Sequence, residues 1–173
     1  MIDRARDEQA TPPKPSGRNC PMMYSTTCAY AIRAMCRLAV IRPEGYVRVQ
    51  EICDGSDLPA YFVAKIFRDL VREGLLTSAK GRGGGFALAR RPNQIKLYDI
   101  VEAVDGVKQY TRCVVGLAKC DDKQPCPQHE QFKPVRQQIL SYLGSTTLDQ
   151  MSEALAKKLE LVGTTLPLTT EGK

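Results

Sequence analysis

The stretch Leu58–Arg90, LPAYFVAKIFRDLVREGLLTSAKGRGGGFALAR, predicts a helix that runs directly into a β-hairpin. Proline in the first turn suits a helix start, and Gly74 is well placed as the residue that ends the helix. The apolar residues at helical spacing form a stripe that we expect to be buried, namely Phe62, Ile66, Phe67 and Leu70.

The hairpin has a glycine-rich, arginine-bearing tip. LLTSAK (75–80) and FALAR (86–90) are strand-like and flank GRGGG (81–85), which predicts a β-hairpin. A hairpin that directly follows a recognition helix is the wing of a winged helix-turn-helix. Glycines let the backbone approach a phosphate closely, and Lys80 and Arg82 supply positive charge. An ordinary surface turn is the alternative. A nucleotide-cradling loop is disfavoured because a strand follows and no Gly-Lys-Ser/Thr is present.

Two further helices precede this stretch. STTCAYAIRAMCRLAVI (25–41) is amphipathic, with Ser25 or Thr26 available as its cap and with Cys28, Ala31, Met35 and Leu38 on its inner face. VQEIC (49–53) is a short helix whose inner residues are Val49, Ile52 and Cys53. A glycine-containing turn, DGSD (54–57), joins it to the helix that starts at Leu58, so the pair predicts a helix-turn-helix.

Positive charge is concentrated in and after the second helix of this pair. The chain carries a formal net charge of +6, and residues 65–96 contain eight basic residues against two acidic ones, Asp69 and Glu73. The basic residues are Lys65, Arg68, Arg72, Lys80, Arg82, Arg90, Arg91 and Lys96. Such a surface attracts a polyphosphate partner through counterion release, although a solvated basic face is also possible.

Composition limits the class of protein. The 173 residues can hold one domain with appendages, and no apolar run approaches the ~20 residues of a membrane span. The N-terminus has no apolar stretch typical of a secretory signal, so we expect a cytoplasmic protein whose thiols stay reduced. Residues 1–21 contain four prolines and few large apolar side chains, which predicts a disordered arm.

Three of the seven cysteines and the only histidine lie close together in RCVVGLAKCDDKQPCPQHEQ (112–131). Cys113, Cys120, Cys126 and His129 have the spacing C-x₆-C-x₅-C-x₂-H, and thiolates with imidazole are ligands for zinc and for iron–sulfur clusters. The wide spacing favours a cluster, while a zinc site and a redox-active thiol loop remain alternatives. Of the remaining cysteines, Cys28, Cys36 and Cys53 are expected in the core, and Cys20 lies in the arm.

The C-terminal half predicts three helices around this loop. KLYDIVEAVDG (96–106) precedes the loop, with Leu97, Ile100, Val101 and Val104 as its apolar residues. FKPVRQQILSYLG (132–144) and TLDQMSEALAKKLELV (147–162) follow the loop. The first of these carries a stripe that a small winged domain cannot cover, Val135, Ile139, Leu140 and Leu143, so we expect it to pack against a partner chain.

The predicted fold class is therefore mainly α with a small β-hairpin wing (α+β), a winged helix-turn-helix followed by a dimerisation helix. The predicted divisions are a disordered arm at 1–21 and a winged helix-turn-helix domain at 22–96. A short helix with the cysteine loop occupies 97–130, the dimerisation and C-terminal helices occupy 131–160, and a flexible tail occupies 161–173.

These elements in this order resemble the IscR/NsrR type of winged-helix regulators, often called the Rrf2 family. The resemblance covers about residues 22–145, and its most specific motifs are GRGGGFALARRP, LYDIVEAVDG and the cysteine loop. It implies a bacterial homodimer that binds a near-palindromic double-stranded operator and senses iron, redox state or nitric oxide through an iron–sulfur cluster.

The resemblance also assigns roles to single residues. Cys113, Cys120 and Cys126 match the three cluster cysteines, and His129 matches the histidine that completes a 2Fe–2S site. The first gap is one residue longer than in that branch, so a 4Fe–4S cluster remains possible. Ala64 stands where some members carry a glutamate that helps to discriminate between operators. The residues that match DNA contacts are Ser25, Thr26, Tyr30, Ala60, Tyr61, Lys65, Lys80, Arg82, Gly83 and Gly84.

The resulting hypothesis is a transcription regulator, not an enzyme, without a small-molecule substrate and without a membrane partner. A single histidine that is already a candidate ligand leaves no acid–base set for catalysis. The alternatives are an iron–sulfur electron-transfer protein and a zinc-stabilised or thiol-switch regulator. An electron carrier would have no need of a basic wing.

Overall fold

Helices dominate the structure, a computed structural model that describes residues 23–41, 45–117 and 120–161. The predicted arm at 1–21, which includes Cys20, and the tail beyond residue 161 lie outside the described residues. The elements are α1 (Thr26–Ile41), α2 (Val49–Cys53), α3 (Ala60–Arg72), β1 (Leu76–Ala79), β2 (Gly85–Leu88), a 3-10 helix (Pro92–Gln94), α4 (Leu97–Val104), α5 (Lys108–Thr111), α6 (His129–Ser145) and α7 (Leu148–Leu161). The predicted mainly helical fold with a hairpin wing is confirmed.

Helices α2 and α3 form the predicted helix-turn-helix, with one correction to the buried face of α3. Ile66, Phe67 and Leu70 are buried as expected, but Val63 is fully buried whereas Phe62 is only partly so. Val63 lies one turn before Phe67 and two turns before Leu70, so it continues the inner stripe. Gly74 ends the helix with φ +71°, the left-handed conformation that glycine adopts easily.

The wing is a two-stranded antiparallel hairpin in which Leu76 is opposite Leu88. Two contacts attach it to the core. The Phe86 ring meets Phe67 edge-on with the ring centres 5.3 Å apart, and Phe86 exchanges two 2.9 Å backbone hydrogen bonds with Val47. A Cβ at Gly85 would lie 2.2 Å from the Val47 carbonyl oxygen, so this close backbone approach requires glycine.

Helix α1 is the centre of the core. Its four predicted inner residues are all fully buried, and Cys36 and Cys53 are buried as well, which confirms Cys28, Cys36 and Cys53 as core residues. Helix α7 returns to this core and packs Leu148, Met151 and Leu155 against it. The periodicity of α7 predicts a helix but does not predict this docking.

Some apolar residues of helix α6 are buried within this chain, and others are exposed on its surface. Leu143 is fully buried, and Ile139 packs beside it in a small cluster with Leu97 and Val101. Val135 is 43% exposed and Tyr142 is 47% exposed. Part of the expected dimer stripe therefore has a partner within the chain, and the assignment of α6 as a dimerisation helix stays a prediction.

In the part of the chain that the structure describes, no helix is long and apolar enough to cross a membrane.

Candidate functional site

The outer face of α3 presents a row of large exposed side chains. Tyr61 is 75% exposed, and Lys65, Arg68 and Arg72 follow it at helical spacing, all exposed. Arg72 pairs with Asp69 on the same helix, so Lys65 and Arg68 are the cations best placed to meet a ligand in front of this face. The sequence assignment missed Arg68, although its position three residues after Lys65 places it on the same face.

Two further residues of α3 to which the family resemblance gives a role, Ala60 and Ala64, have small side chains. Ala60 and Ala64 are both partly buried and pack against the core at the edge of the same face. An alanine side chain carries no hydrogen-bonding group, so these positions can contribute only close approach or apolar contact.

The wing tip is exposed and has the predicted composition. Lys80, Arg82 and Gly83 are exposed, and Gly84 is partly buried. A Cβ at Gly84 would lie 2.4 Å from the Ala79 carbonyl oxygen, so the turn closes only with glycine at this position. The tip therefore presents cations on a tight backbone turn.

The residues at the start of α1 already make contacts with other parts of this chain. The Ser25 hydroxyl donates to Asp105 Oδ1 at 2.5 Å and accepts from the Cys28 N–H at 3.0 Å, while the Ser25 N–H donates to Asp105 Oδ2 at 2.8 Å. Thr26 is partly buried. The Tyr30 ring is 4% exposed and packs edge-on against Phe62. Contacts of these three residues with DNA therefore stay predictions, and Ser25 would have to share its hydroxyl with Asp105.

The cysteine loop brings two of its candidate ligands together. Cys120 Sγ lies 3.3 Å from His129 Nδ1. The pKa of the Cys113 thiol is lowered: burial raises it, but hydrogen bonding, first from the backbone of Val115 and Leu117, outweighs burial. Within residues 23–41, 45–117 and 120–161, no three His, Cys, Asp or Glu side chains form a group that could hold a metal ion.

His129 begins α6 and is 3% exposed. Its second ring nitrogen, Nε2, lies 2.7 Å from Asp122 Oδ1, and Lys133 Nζ contacts both oxygens of Asp122 at 2.8 and 2.9 Å. Hydrogen bonds from Lys133 and then from His129 lower the pKa of Asp122. Arg136 Nη2 lies 2.9 Å from Cys120 Sγ, so a cation faces this sulfur.

These neighbours line a surface pocket of about 570 Å³. The lining residues are Cys120, Asp121, Asp122, Lys123, His129, Lys133, Arg136 and Gln137. Sequence reasoning missed Asp122, Lys133 and Arg136 as parts of the site. Lys133 and Arg136 lie four and seven residues after His129, a spacing that places all three on one helical face.

Comparison with known proteins identifies relatives over most of the chain. The profile of the family described as "Rrf2: Iron-dependent Transcriptional regulator" matches residues 24–154. A protein of Aquifex aeolicus described as an HTH-type transcriptional regulator is 32% identical over 140 residues, which cover 80% of this chain and 96% of that protein. The regulator IscR of Xenorhabdus nematophila is 30% identical over 130 residues, covering 75% of this chain and 79% of IscR.

Solved structures share the fold. IscR of T. potens superposes with a TM-score of 0.61 at 26% identity, covering 87% of this chain and 94% of the other. CymR, described as the global cysteine regulator of B. subtilis, superposes with a TM-score of 0.63 at 24% identity, covering 77% of this chain and 98% of the other. The two scores are nearly equal, so the fold by itself does not distinguish an IscR-type from a CymR-type regulator.

Proposed function

Because the chain belongs to the Rrf2 family of transcriptional regulators, we propose that it binds operator DNA as a homodimer and that an iron–sulfur cluster in the cysteine loop sets its affinity. The observation that carries the DNA-binding part is the exposed face of α3 beside the wing. Tyr61, Lys65 and Arg68 would enter the major groove, and Lys80 and Arg82 would contact the flanking phosphates. The cytoplasm is the proposed compartment.

Dimerisation is proposed through the apolar residues that α6 leaves exposed. Val135 and Tyr142 lie two turns apart on this helix, and both keep more than two fifths of their surface exposed. A dimer that binds a near-palindrome must present its two recognition helices about 34 Å apart. Small changes in the packing of α6 would therefore alter the fit to DNA.

The donor set of the loop suits an iron–sulfur cluster. Three thiols and one imidazole are the soft and borderline ligands that iron–sulfur clusters take. Cys120 and His129 already lie side by side, and all four candidate ligands lie within 17 residues of the sequence. Cys113, Cys120, Cys126 and His129 would hold a 2Fe–2S cluster, with a 4Fe–4S cluster as the alternative. When bound, the cluster would supply a group whose state depends on iron, oxidants or nitric oxide.

Hydrogen bonds connect the segment just before the cysteine loop to the start of α1. Asp105, at the end of α4, is hydrogen-bonded to Ser25 at the start of α1. The Tyr110 hydroxyl, in the short helix that precedes Cys113, donates to the Met23 carbonyl oxygen. A rearrangement of the loop would therefore pull on the residues that precede α1. This connection supports control of DNA affinity from the cysteine loop.

A thiol switch is the second candidate function. The lowered pKa of Cys113 favours it, because the thiolate is the form that attacks in thiol oxidation and disulfide exchange. In that case the loop would respond to oxidants without iron.

The cluster is tested by purifying the protein anaerobically and measuring iron, acid-labile sulfide and visible absorbance. We expect a coloured protein with iron and sulfide, and the colour should be lost in Cys113→Ala, Cys120→Ala and Cys126→Ala. Cys36→Ala is the matched control, because Cys36 is a core residue far from the loop in sequence, and it should stay coloured. Colourless protein with bound zinc would contradict the proposal, and colourless protein with a Cys113–Cys126 disulfide would favour the thiol switch.

DNA binding is tested by measuring operator affinity as a function of salt concentration. Arg82→Ala should weaken binding to all sequences and lower the salt slope by about one, because one phosphate contact is lost. Lys65→Ala should also change the preferred sequence. Lys157→Ala on α7 removes the same charge from an exposed position outside the helix-turn-helix and the wing, and it should leave the slope unchanged. Equal slopes for Arg82→Ala and the wild type would contradict the assignment of the wing.

A further inference from the structure

We propose that Asp122 is a positioning residue that keeps the proton of the His129 ring on Nε2 and leaves Nδ1 as the free donor atom facing Cys120. The position of this proton is a property of the protein without metal. The proposal rests on the proposed function only in naming iron as the group that Nδ1 would bind.

The two ring nitrogens have neighbours of different chemistry. Nε2 lies 2.7 Å from Asp122 Oδ1, and an ionised carboxylate can only accept a hydrogen bond, so Nε2 must be the protonated nitrogen. In a neutral ring Nδ1 then carries the lone pair. Nδ1 lies 3.3 Å from Cys120 Sγ, whose thiol proton it can accept. Both contacts are satisfied by one tautomer.

The carboxylate is itself held in place. The Asp122 side chain is 69% exposed, and without further contacts it would rotate freely in solvent. Lys133 Nζ contacts both of its oxygens at 2.8 and 2.9 Å. Lys133 lies one helical turn after His129 in α6, so the same helix carries the ring and the ammonium group between which Asp122 is fixed.

The ring has no freedom to present its other nitrogen. His129 is 3% exposed, and a 180° rotation about χ2 would place Cε1 instead of Nε2 beside the carboxylate and Cδ2 instead of Nδ1 beside Cys120, so both contacts would be lost. Histidines that bind metals commonly donate their second N–H to a carboxylate, which fixes the tautomer and strengthens the ligand. In this chain that partner is in place before any metal binds, and it assigns the ligating atom to Nδ1.

Asp121 supplies a matched control. It is the adjacent residue with the same charge, but it accepts a hydrogen bond from the Lys123 backbone N–H at 2.9 Å and stabilises the turn instead. Asp121→Asn and Asp122→Ala each remove one negative charge from the loop, and only the second removes a group that touches the ring.

The first measurement uses metal-free, untagged protein labelled with nitrogen-15. His129 is the only histidine of the chain, so every imidazole signal belongs to it. Long-range proton–nitrogen correlation at pH 8 should show a single Nε2–H tautomer in the wild type and in Asp121→Asn. Asp122→Ala should give a mixture of tautomers, and Asp122→Glu should restore at least part of the Nε2–H signal. An Nδ1–H tautomer or a doubly protonated ring in the wild type would overturn the proposal, as would an unchanged single tautomer in Asp122→Ala.

The second measurement separates this proposal from the proposed function. In anaerobically reconstituted protein, Asp122→Ala should bind iron about 10–100-fold more weakly than Asp121→Asn in competition with a chelator, because removing such a partner usually lowers metal affinity by about this factor. With histidine labelled at one nitrogen at a time, the stronger coupling to iron should come from Nδ1. Coupling from Nε2 would overturn the positioning role while leaving the cluster intact. A wild-type protein that binds no cluster would end the proposed function, whereas the tautomer measurement would still decide the role of Asp122.

Discussion

The winged core and the cysteine loop are stabilised by different interactions. In the core, Phe67, Met35 and Leu38 are all completely buried, and removal of apolar surface from water provides the stabilising free energy. In the loop between Cys113 and Cys120, Val114, Val115 and Leu117 are 43%, 44% and 53% exposed. The loop is instead positioned by polar contacts of Cys120, Asp122 and His129.

Under the proposed function, this difference would separate folding from sensing. The core is buried without a ligand, so it can fold whatever the state of the loop, and the exposed face of α3 is preserved. A loop whose apolar residues are exposed gains little from its present conformation, and a bound group or a new covalent bond can therefore shift it at small cost. We expect substitutions in the two regions to differ accordingly.

The largest expected effect is on the stability of the core. Phe67→Ala should lower the free energy of unfolding by about 3–5 kcal/mol, because it removes a fully buried ring that packs edge-on against Phe86. Val115→Ala in the loop should change it by less than about 0.5 kcal/mol. Chemical denaturation of metal-free protein measures both values. If both variants lost a similar free energy of unfolding, the loop would contribute to the core, and the proposed difference between the two regions would be wrong.

Thiol reactivity should separate the same two regions. Burial raises the pKa of Cys36 from 9.0 to about 12, and it raises the pKa of Cys28 to about 12 with a further contribution from Asp105. Since the thiolate is the nucleophile, a pKa higher by about three lowers the reactive fraction at pH 8 about a thousandfold, before burial restricts access. Cys120 and Cys126 are partly exposed.

The corresponding experiment is alkylation of the metal-free native protein at pH 8, followed by mass mapping of the modified cysteines. Cys120 and Cys126 should react while Cys28 and Cys36 stay unmodified until the protein is unfolded. Modification of Cys28 or Cys36 at the rate of the loop thiols would show that the core opens readily.

The smallest expected effect concerns the ion pair between Arg33 of α1 and Asp57 of the helix-turn-helix turn. Both side chains are largely exposed, at 46% and 62%, so Asp57→Asn should cost less than about 1 kcal/mol and less still at high salt. The hydrogen bond from Arg33 lowers the pKa of Asp57 below 3.8. The contribution of the pair is therefore present above the ordinary pKa and is lost as the pH falls through the lowered one. Denaturation of the two proteins should differ at pH 7 and converge near pH 2, and a difference that persists at pH 2 would rule out this ionisation as its source.

The elements of the fold could be predicted from the sequence because each one follows from the order of neighbouring residues. The apolar stripe of α3, the glycine-rich turn after β1 and the inner cysteines of α1 depend on helical or strand periodicity and on the backbone freedom of glycine. The candidate cysteine and histidine ligands could be named for the same reason, since their side-chain chemistry is independent of the fold. The place of Arg68 on the exposed face of α3 could have been predicted in the same way.

The contacts between distant parts of the chain were decided by the tertiary structure. Phe62 of α3 meets Tyr30 of α1 edge-on, a contact between helices that periodicity does not predict. The hydrogen bonds of Asp105 with Ser25 join residues 80 positions apart, and α7, the last described helix, packs against a core centred on α1, the first helix. The ring of His129 meets Asp122 because α6 begins where the loop folds back. Local sequence determines which residues form an element and which chemistry they carry, but contacts between elements depend on how those elements pack in three dimensions.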